Sequence, residues 1–274
     1  QNVLELNNTA PSVVSREDVC KIRSLIQAYT AEGGCFQPDL PSLVDLYIKD
    51  THAGDSDIWQ MVNNGEDVGN EPNEESKQFW ISPSIWNSLS QDGQMHEDPK
   101  YKGPNVPNYM HVKLHDRGCA IPSQGEVCLY MSAASTYHEW PAHWENFITT
   151  INGEAVQAGK LIGCVPLTSV NPDPNTGIRE YTIPYIPFDP EKFNGYGPEN
   201  DGTKMKVCVL GRIVSEEDPM FSPETTNIGK NLKNNNNIAM KNMTVVDFYD
   251  GITDGGGFIT IRSNPEHVIP GSGE

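Results

Sequence analysis

Two stretches of alternating side chains constrain the fold of this chain more than any other feature. They run NYMHVKLHD over 108–116 and EVCLYMSA over 126–133. Large apolar residues occupy every second position, namely Met110, Val112 and Leu114 in the first and Val127, Leu129 and Met131 in the second. Because successive strand side chains point to opposite faces, each stretch predicts a strand with one apolar and one mixed face. The loop between them is rich in Gly, Ser and Pro, which favours a hairpin.

Other segments extend this pattern. Further strands are predicted at 43–48, 160–170, 179–186, 204–214 and 256–262. One helix is predicted over 16–32, with Ser15 as its N-cap and Gly33-Gly34 at its end. The 24 glycines and 21 prolines suit many turns between short strands. The spacing therefore predicts an all-β sandwich with Greek-key connections, a small N-terminal helical cap and long loops.

The chain divides into three parts in this interpretation. Residues 1–40 form an N-terminal arm and a disulfide-linked helical cap, 41–262 form the sandwich with its long insertions, and 263–274 form a C-terminal arm. An extended arm can add a strand to the open sheet edge of a neighbouring molecule. We therefore expect protein partners, and the arms predict self-association of this chain in particular.

The charge balance restricts the partners. Nineteen basic residues face 37 acidic ones, so the formal net charge is −18. Such a surface repels nucleic acid and anionic membranes and attracts divalent cations, although solubility alone also accounts for it. No apolar run approaches the ~20 residues that would span a bilayer. We therefore expect neither nucleic-acid binding nor membrane insertion.

Cysteine usage points to export. The chain has six cysteines, which are Cys20, Cys35, Cys119, Cys128, Cys164 and Cys208. No C-x-x-C pair occurs, which argues against a zinc ribbon, whereas an even count fits disulfides and a secreted or cell-surface setting. Residue 1 is Gln, which a removed signal peptide or a trimmed chain would each explain.

Of the fifteen pairings that six cysteines allow, two are favoured by the local sequence. Cys20 with Cys35 would span the Gly-Gly turn, and Cys119 with Cys128 would close a loop. Cys164 and Cys208 would then remain, both within predicted strands. Buried free thiols are the alternative.

An acidic segment is the strongest metal candidate. It carries Asp45, Asp50, Asp55, Asp57, Glu66, Asp67 and Glu71. Calcium takes six to eight oxygen ligands, often carboxylates with backbone carbonyls from Gly-bearing loops. The register of an EF-hand loop is missing, so the hypothesis is a structural Ca²⁺ in an irregular loop.

Tryptophan and histidine supply the remaining candidates. Trp140 and Trp144 are candidate stacking platforms for sugars, whereas Trp80 and Trp86 are predicted to lie in the core. The segment HEWPAH (138–143) approaches a zincin motif, but its histidines are five apart and its proline interrupts any helix, so a turn is predicted.

A second histidine set lies in and near the first strand. His111 and His115 share a strand face, and with His96 they would suit zinc or copper. Ordinary strand side chains are the alternative for this set.

Several segments together resemble a known family. They are DLYIKDT (45–51), GNEPN (69–73), FWISPSIWN (79–87), the loop with Gly93, His96 and Asp98-Pro99, PNYMHVKLHDRGC (107–119), VCLYMSAAS (127–135), EWPAHW (139–144), SEEDPM (215–220) and NNNNIAMKNMTVVD (234–247). In order and spacing the chain is similar to the immunoglobulin-like (CARDB-like) modules of secreted Bacteroidota proteins, which often carry type IX secretion sorting domains. The resemblance implies an immunoglobulin-like β-sandwich, export and an extracellular setting. It implies no particular activity.

One position departs from those modules. They usually carry an Arg-bearing strand where this chain has Asn87-Ser88-Leu89. Motifs for a nucleophile elbow or a phosphate-binding loop do not occur in the sequence. We expect a non-enzymatic extracellular or cell-surface structural or adhesion protein, such as a subunit of a surface assembly. The alternatives are an accessory module that binds glycans or a peptidase substrate and, third, a hydrolase with scattered acids.

Overall fold

The computed structural model describes most of the central part of the chain. The described residues are 21–22, 44–50, 67, 69, 71–72, 79–118, 120–134, 138–174, 176–197 and 200–247. Both predicted arms and the strand at 256–262 lie outside them. So does the predicted helical cap, apart from the helical residues Lys21 and Ile22.

A smaller sheet is built around one central strand. Its strands are β1 (Leu46–Tyr47), β2 (Ile85–Ser88), β4 (Asn108–Asp116) and β8 (Arg179–Tyr185). The strands β2 and β8 pair with the same residues of β4 and therefore flank it on opposite sides, whereas β1 pairs with its last two residues. All three pairings are antiparallel.

A larger, six-stranded sheet has the order β3-β10-β9-β5-β7-β6. Its strands are β3 (Lys100–Tyr101), β5 (Glu126–Ala133), β6 (Phe147–Ile151), β7 (Glu154–Pro166), β9 (Lys204–Val214) and β10 (Ile238–Asp247). Only the short β3 pairs in parallel among these described strands. The two sheets confirm the all-β sandwich.

The predicted hairpin between β4 and β5 is wrong. The strand β4 pairs with β1, β2 and β8, whereas β5 pairs with β7 and β9 in the other sheet. The intervening loop therefore carries the chain from one sheet to the other. Alternation shows which face of a strand is apolar but not which strand lies beside it.

The inner faces of the two sheets form the main core. Met110 and Leu114 of β4 and Leu129 and Met131 of β5 are fully buried, as their alternation predicts. The sheets approach closely at Gly211 of β9, where an added Cβ would lie 3.1 Å from Cδ1 of Ile85 and 3.2 Å from Cδ1 of Ile48. Glycine at this position therefore lets the two layers touch.

A second apolar layer covers the outer face of the larger sheet. Its buried members are Cys128, Tyr130, Trp140, Trp144, Cys208, Leu210, Leu232 and Ile238. A turn at 140–146 and the short helix α1 (Ile228–Asn234) supply the covering side chains. The helix α1 was not predicted from the sequence; its N-cap Asn227 accepts a hydrogen bond from the Lys230 backbone N–H at 2.9 Å.

The disulfide pattern differs from the predicted one. Cys128 of β5 is bonded to Cys164 directly opposite on β7, so the predicted Cys119–Cys128 pair is wrong. Cys208 is a buried free thiol, and the residues opposite it on the neighbouring strands are Ser132 of β5 and Asn242 of β10. The other three predicted disulfide residues, Cys20, Cys35 and Cys119, lie outside the described residues.

The chain changes sheets at residues 80–85. The Ser82 N–H donates to the Met240 carbonyl at 3.1 Å, and the Asn242 N–H donates to the Trp80 carbonyl at 2.9 Å, so 80–82 lies along β10 of the larger sheet. After Pro83 and Ser84 the chain enters β2 of the smaller sheet. A corner forms where the segment leaves one sheet for the other.

Candidate functional site

A cavity of about 290 Å³ lies at this corner, and we call it the corner pocket. Its lining residues are Pro83, Trp86, Gln94, His96, Lys113 and Lys241. They come from β2, β4, β10 and the loops next to β2. The change of sheet therefore brings together side chains that are distant in the sequence.

One wall of the corner pocket is a fixed indole. Trp86 stacks on His111 with ring centroids 4.9 Å apart and planes 6° apart, and its Nε1–H donates to the Gly93 carbonyl at 3.0 Å. The His111 ring is held in turn, because its Nε2 lies 2.9 Å from Ser88 Oγ and its Nδ1 lies 3.0 Å from Thr182 Oγ1. These hydrogen-bonded side chains on the outer face of the smaller sheet limit the movement of the indole.

Two ammonium groups reach the corner pocket. The Lys241 Nζ donates to the Ser82 carbonyl at 3.1 Å, and burial lowers the pKa of Lys241 to about 8. Within the described part of the chain Lys241 makes no ion pair. The Lys113 Nζ lies 5.3 Å from the Trp86 ring centroid and 3.9 Å from Glu180 Oε2. The positive charge of the pocket is therefore mainly that of Lys241, and the nearest carboxylate recorded at the lining is that of Asp98, whose Oδ1 lies 3.8 Å from His96 Nε2.

His96 adds a neutral imidazole at physiological pH. Burial, and next the positive charge of Lys241, lower the pKa of His96 to about 4. Its Nδ1 accepts a hydrogen bond from the Asn87 backbone N–H at 3.2 Å, which fixes the ring. The arrangement of a rigid indole, a neutral imidazole and two ammonium groups can hold a small anionic ligand with an apolar face.

A second polar site contains part of the predicted calcium loop. We call Asp45, Glu71, Asp218, Asn236 and Asn237 the carboxylate–asparagine cluster. The Asp218 Oδ2 accepts from the Leu46 N–H at 2.8 Å and from the Asn237 Nδ2 at 3.0 Å, and the Glu71 Oε1 accepts from the Asn236 N–H at 2.9 Å. Burial, and then the charges of Asp45 and Glu71, raise the pKa of Asp218 to about 7.

The structure brings together only part of the predicted calcium ligand set. Asp45 and Glu71 lie close enough to influence each other electrostatically. Asp50 lies instead beside Asp67, whose Oδ2 accepts from the Asp50 N–H at 2.9 Å. Asp55, Asp57 and Glu66 lie outside the described residues. Sequence reasoning missed Asp218 because its partner Leu46 is 172 residues away.

The two tryptophans predicted to stack on sugars are buried. Trp144 is 0% exposed and Trp140 is 9% exposed, and both pack in the second apolar layer. The guanidinium of Arg212 also lies over Trp140, with its Cζ 5.3 Å from the ring centroid. Neither indole presents a free face, so this predicted platform is not formed. Trp80, predicted as core, is 40% exposed, whereas the buried position of Trp86 agrees with the prediction.

The histidines make structural contacts. In the HEWPAH segment His143 Nδ1 accepts from the Glu139 N–H at 2.8 Å, which closes the predicted turn. His96, His111 and His115 do not converge on a common point. Among the described residues, the group of three potential ligand atoms within 4.8 Å is that of Glu126, Cys128 and Cys164, and its two sulfurs are bonded to each other.

Comparisons with known proteins leave the family open. No protein-family model matches the chain, and no curated protein matches it. Among solved structures it is similar to a hemolymph-type prophenoloxidase from a crustacean, at 10% identity and a TM-score of 0.26, over 81% of this chain and 38% of that protein. This weak likeness carries no argument about fold or activity. None of the described helices is long and apolar enough to cross a membrane.

Proposed function

We propose that this chain is a non-enzymatic adhesion module of a secreted or cell-surface protein that binds acidic sugar residues in the corner pocket. The observation that carries the proposal is the meeting of Lys113 and Lys241 beside the fixed indole of Trp86, on a chain with a net charge of −18. A cationic pocket on an acidic molecule selects an anionic ligand by contrast with the surrounding surface. The disulfide between Cys128 and Cys164 fits an oxidising compartment.

The buried amine of Lys241 is the energetic argument for an anion. Burial without an ion pair disfavours the charged form, which is why the pKa of Lys241 falls to about 8. A carboxylate or sulfate placed near its Nζ would offset this cost. Groups with perturbed pKa values in a cleft mark functional sites more often than ordinary surface positions do.

The other walls favour a sugar over a simple anion. Pro83 and the small exposed part of Trp86, which is 6% exposed, supply apolar surface, and Gln94 supplies an amide that can donate to and accept from hydroxyl groups. The cavity of about 290 Å³ is at the small end of ligand pockets and suits a single sugar ring.

The properties of His96 suit a pocket that binds a ligand without catalysing a reaction. His96 has a pKa of about 4 and uses Nδ1 on a backbone N–H, so it is a weak proton acceptor near neutral pH. A general base works best when its pKa lies near the operating pH.

The test is titration calorimetry of the whole chain with a hexuronate-terminated oligosaccharide, with the matched neutral oligosaccharide and with acetate. We expect the hexuronate to bind at least ~10-fold more tightly than the other two, and Lys241→Gln to remove that preference. Lys230→Gln is the matched control, because Lys230 is exposed on α1, which covers the outer face of the larger sheet, and does not line the pocket. Equal binding of acidic and neutral sugars, or unchanged binding by Lys241→Gln, would contradict the proposal.

A second candidate is a structural subunit of a surface assembly. The strand β6 is the last strand of the larger sheet in the described part of the chain, and its Ile148 is 63% exposed. An open edge with an apolar side chain can accept a strand from a neighbouring molecule, such as a terminal arm. Size-exclusion chromatography of the full chain beside a chain lacking residues 1–15 tests this idea, which fails if the full chain elutes as a monomer.

A further inference from the structure

We infer that the disulfide between Cys128 and Cys164 is an exchange site, at which an external thiol becomes bonded to the sulfur of Cys164. The substrate class is a small thiol that carries no negative charge. The site lies on the outer face of the larger sheet, because Cys128 belongs to the second apolar layer. It is separate from the corner pocket and does not depend on the proposed function.

The two residues of the disulfide differ in exposure. Cys128 of β5 is 2% exposed and packs in the second apolar layer, whereas Cys164, directly opposite on β7, is exposed. The disulfide therefore crosses the border of that layer. A thiol in solution can reach Cys164 while the layer stays closed, and access to a sulfur is one of the factors that set its rate of exchange.

The position of Cys164 in the sheet leaves one side of it open. The strand β6 pairs with β7 only from Glu154 to Gly159. Among the strands that the structure describes, none pairs with residues 160–166 on the side away from β5. Leu161 in this half of β7 is 46% exposed. The free side of the strand at Cys164 therefore faces solvent.

The direction of attack selects between the two sulfurs. A thiolate displaces the leaving sulfur along the S–S bond and so approaches from the side opposite to it. For Cys164 this approach is from the free side of β7. For Cys128 it is from β9, where Arg212 lies directly opposite and its Nε donates to Glu224 Oε1 at 3.0 Å. The approach to Cys128 is therefore blocked.

The exchange step balances without an oxidant or a reductant. The external thiolate forms a sulfur–sulfur bond with Cys164, and the bond between Cys164 and Cys128 breaks. The electron pair of that bond leaves with the sulfur of Cys128, which then takes a proton from water. Because burial favours the neutral thiol, the released Cys128 is a weak nucleophile and the adduct on Cys164 persists. Burial also makes Cys128 the slower leaving group, but the blocked approach to its own sulfur outweighs this difference.

A carboxylate beside the disulfide sets the charge preference. Glu126 is exposed, and one of its carboxylate oxygens lies within 4.8 Å of the sulfurs of both Cys128 and Cys164. At about 5 Å in water, one unit charge changes a rate by about fourfold. An anionic thiol is therefore repelled at the point of attack, whereas a cationic thiol is attracted.

The experiment exposes the folded full chain to cysteamine, which is cationic, or to 2-mercaptoethanesulfonate, which is anionic. Acid quenching at intervals and peptide mass spectrometry then locate each adduct and separate this pair from the other cysteines. We expect the first adduct on Cys164. Its formation should be faster than the alkylation of the buried thiol of Cys208 by iodoacetamide in a parallel sample, because that reaction requires the second apolar layer to open.

A pair of variants tests the charge preference. Glu126→Gln should lower the ratio of the cysteamine rate to the 2-mercaptoethanesulfonate rate by about threefold or more. The intrinsic reactivities of the two thiols cancel when this ratio is compared between variants. Glu154→Gln is the matched control, since Glu154 is an exposed carboxylate at the other end of β7 and should leave the ratio unchanged.

Three outcomes would overturn the inference. The first is an adduct that forms first on Cys128. The second is exchange at Cys164 that is no faster than alkylation of Cys208, since the disulfide would then react only after opening of the layer. The third is a rate ratio in Glu126→Gln equal to that in Glu154→Gln.

Discussion

The outer faces of the two sheets have the same kind of sequence but different surroundings. The outer face of the larger sheet is covered by the second apolar layer, which includes the fully buried Trp144. The outer face of the smaller sheet carries hydrogen-bonded polar side chains, among which His111 lies between Ser88 and Thr182 and stacks on Trp86. A mixed strand face can therefore be either a hidden second core or one wall of an open pocket.

The two faces differ in the interactions that stabilise them. Apolar packing is non-directional, so its loss scales with the volume removed. Hydrogen bonds are directional, so the loss of one group leaves its partners unsatisfied. The stability lost on substitution should therefore depend on side-chain volume on the apolar face and on unsatisfied hydrogen-bond partners on the hydrogen-bonded face.

The largest effect should come from the covered face. Trp144→Ala would empty a fully buried site and lower the free energy of unfolding by about 3–5 kcal/mol. Urea denaturation monitored by circular dichroism measures it. Trp80→Ala is the matched control, since this indole is 40% exposed and its loss should cost clearly less. Equal effects of the two substitutions would contradict the second apolar layer.

The next effect should come from the disulfide on the same covered sheet. Replacing both Cys128 and Cys164 by Ser should lower the free energy of unfolding by about 2–4 kcal/mol, because the closed loop that restricts the unfolded chain is lost. Chemical denaturation of the double variant measures this. Because the β5–β7 hydrogen bonds remain, the variant should still fold; stability equal to that of the wild type would contradict the prediction.

Substitutions on the outer face of the smaller sheet should reduce stability less, and the size of the loss should depend on which hydrogen bonds are removed. His111→Ala should cost about 1–3 kcal/mol, because the hydroxyls of Ser88 and Thr182 lose a common partner. His111→Gln, which retains a donor and an acceptor, should recover part of the loss in the same denaturation experiment. If the two variants were equally unstable, volume and not hydrogen bonding would control this face.

The smallest effect should be one that both faces share. Burial lowers the pKa of His96 at the pocket and of His138 beside the second apolar layer to about 4. The neutral imidazoles therefore contribute stability that is complete above pH 6.5 and is lost as pH falls through about 4. His96→Gln and His138→Gln should each reduce the fall in Tm between pH 6.5 and 4. An unchanged pH profile in either variant would contradict its assigned environment.

Sequence patterns predicted the sandwich and the buried faces, since Met110, Val112 and Leu114 lie in the core as their alternation indicates. Which strands lie side by side in a sheet could not be predicted from these patterns. The strands β4 and β5 are adjacent in sequence but belong to different sheets, and the partner of Cys128 lies on β7. Period-two patterns contain no information about long-range pairing.

The candidate sites were predicted less well, for a related reason. Lys241 enters the corner pocket because residues 80–82 lie along β10, and no local motif indicates this. The acidic segment around Asp45 drew attention to part of the carboxylate–asparagine cluster, but Asp218 and Asn237 come from remote loops. Sites assembled by folding across many residues need the tertiary structure.

The buried free thiol of Cys208 can report local opening of the protein through its reactivity. Burial raises the pKa of Cys208 to about 12, so an alkylating reagent can reach and modify it only when the covering segments detach from β9. Peptide mapping after timed exposure to iodoacetamide would give the rate of that opening without any introduced label. The rate of alkylation of this one sulfur thus measures how often the second apolar layer opens.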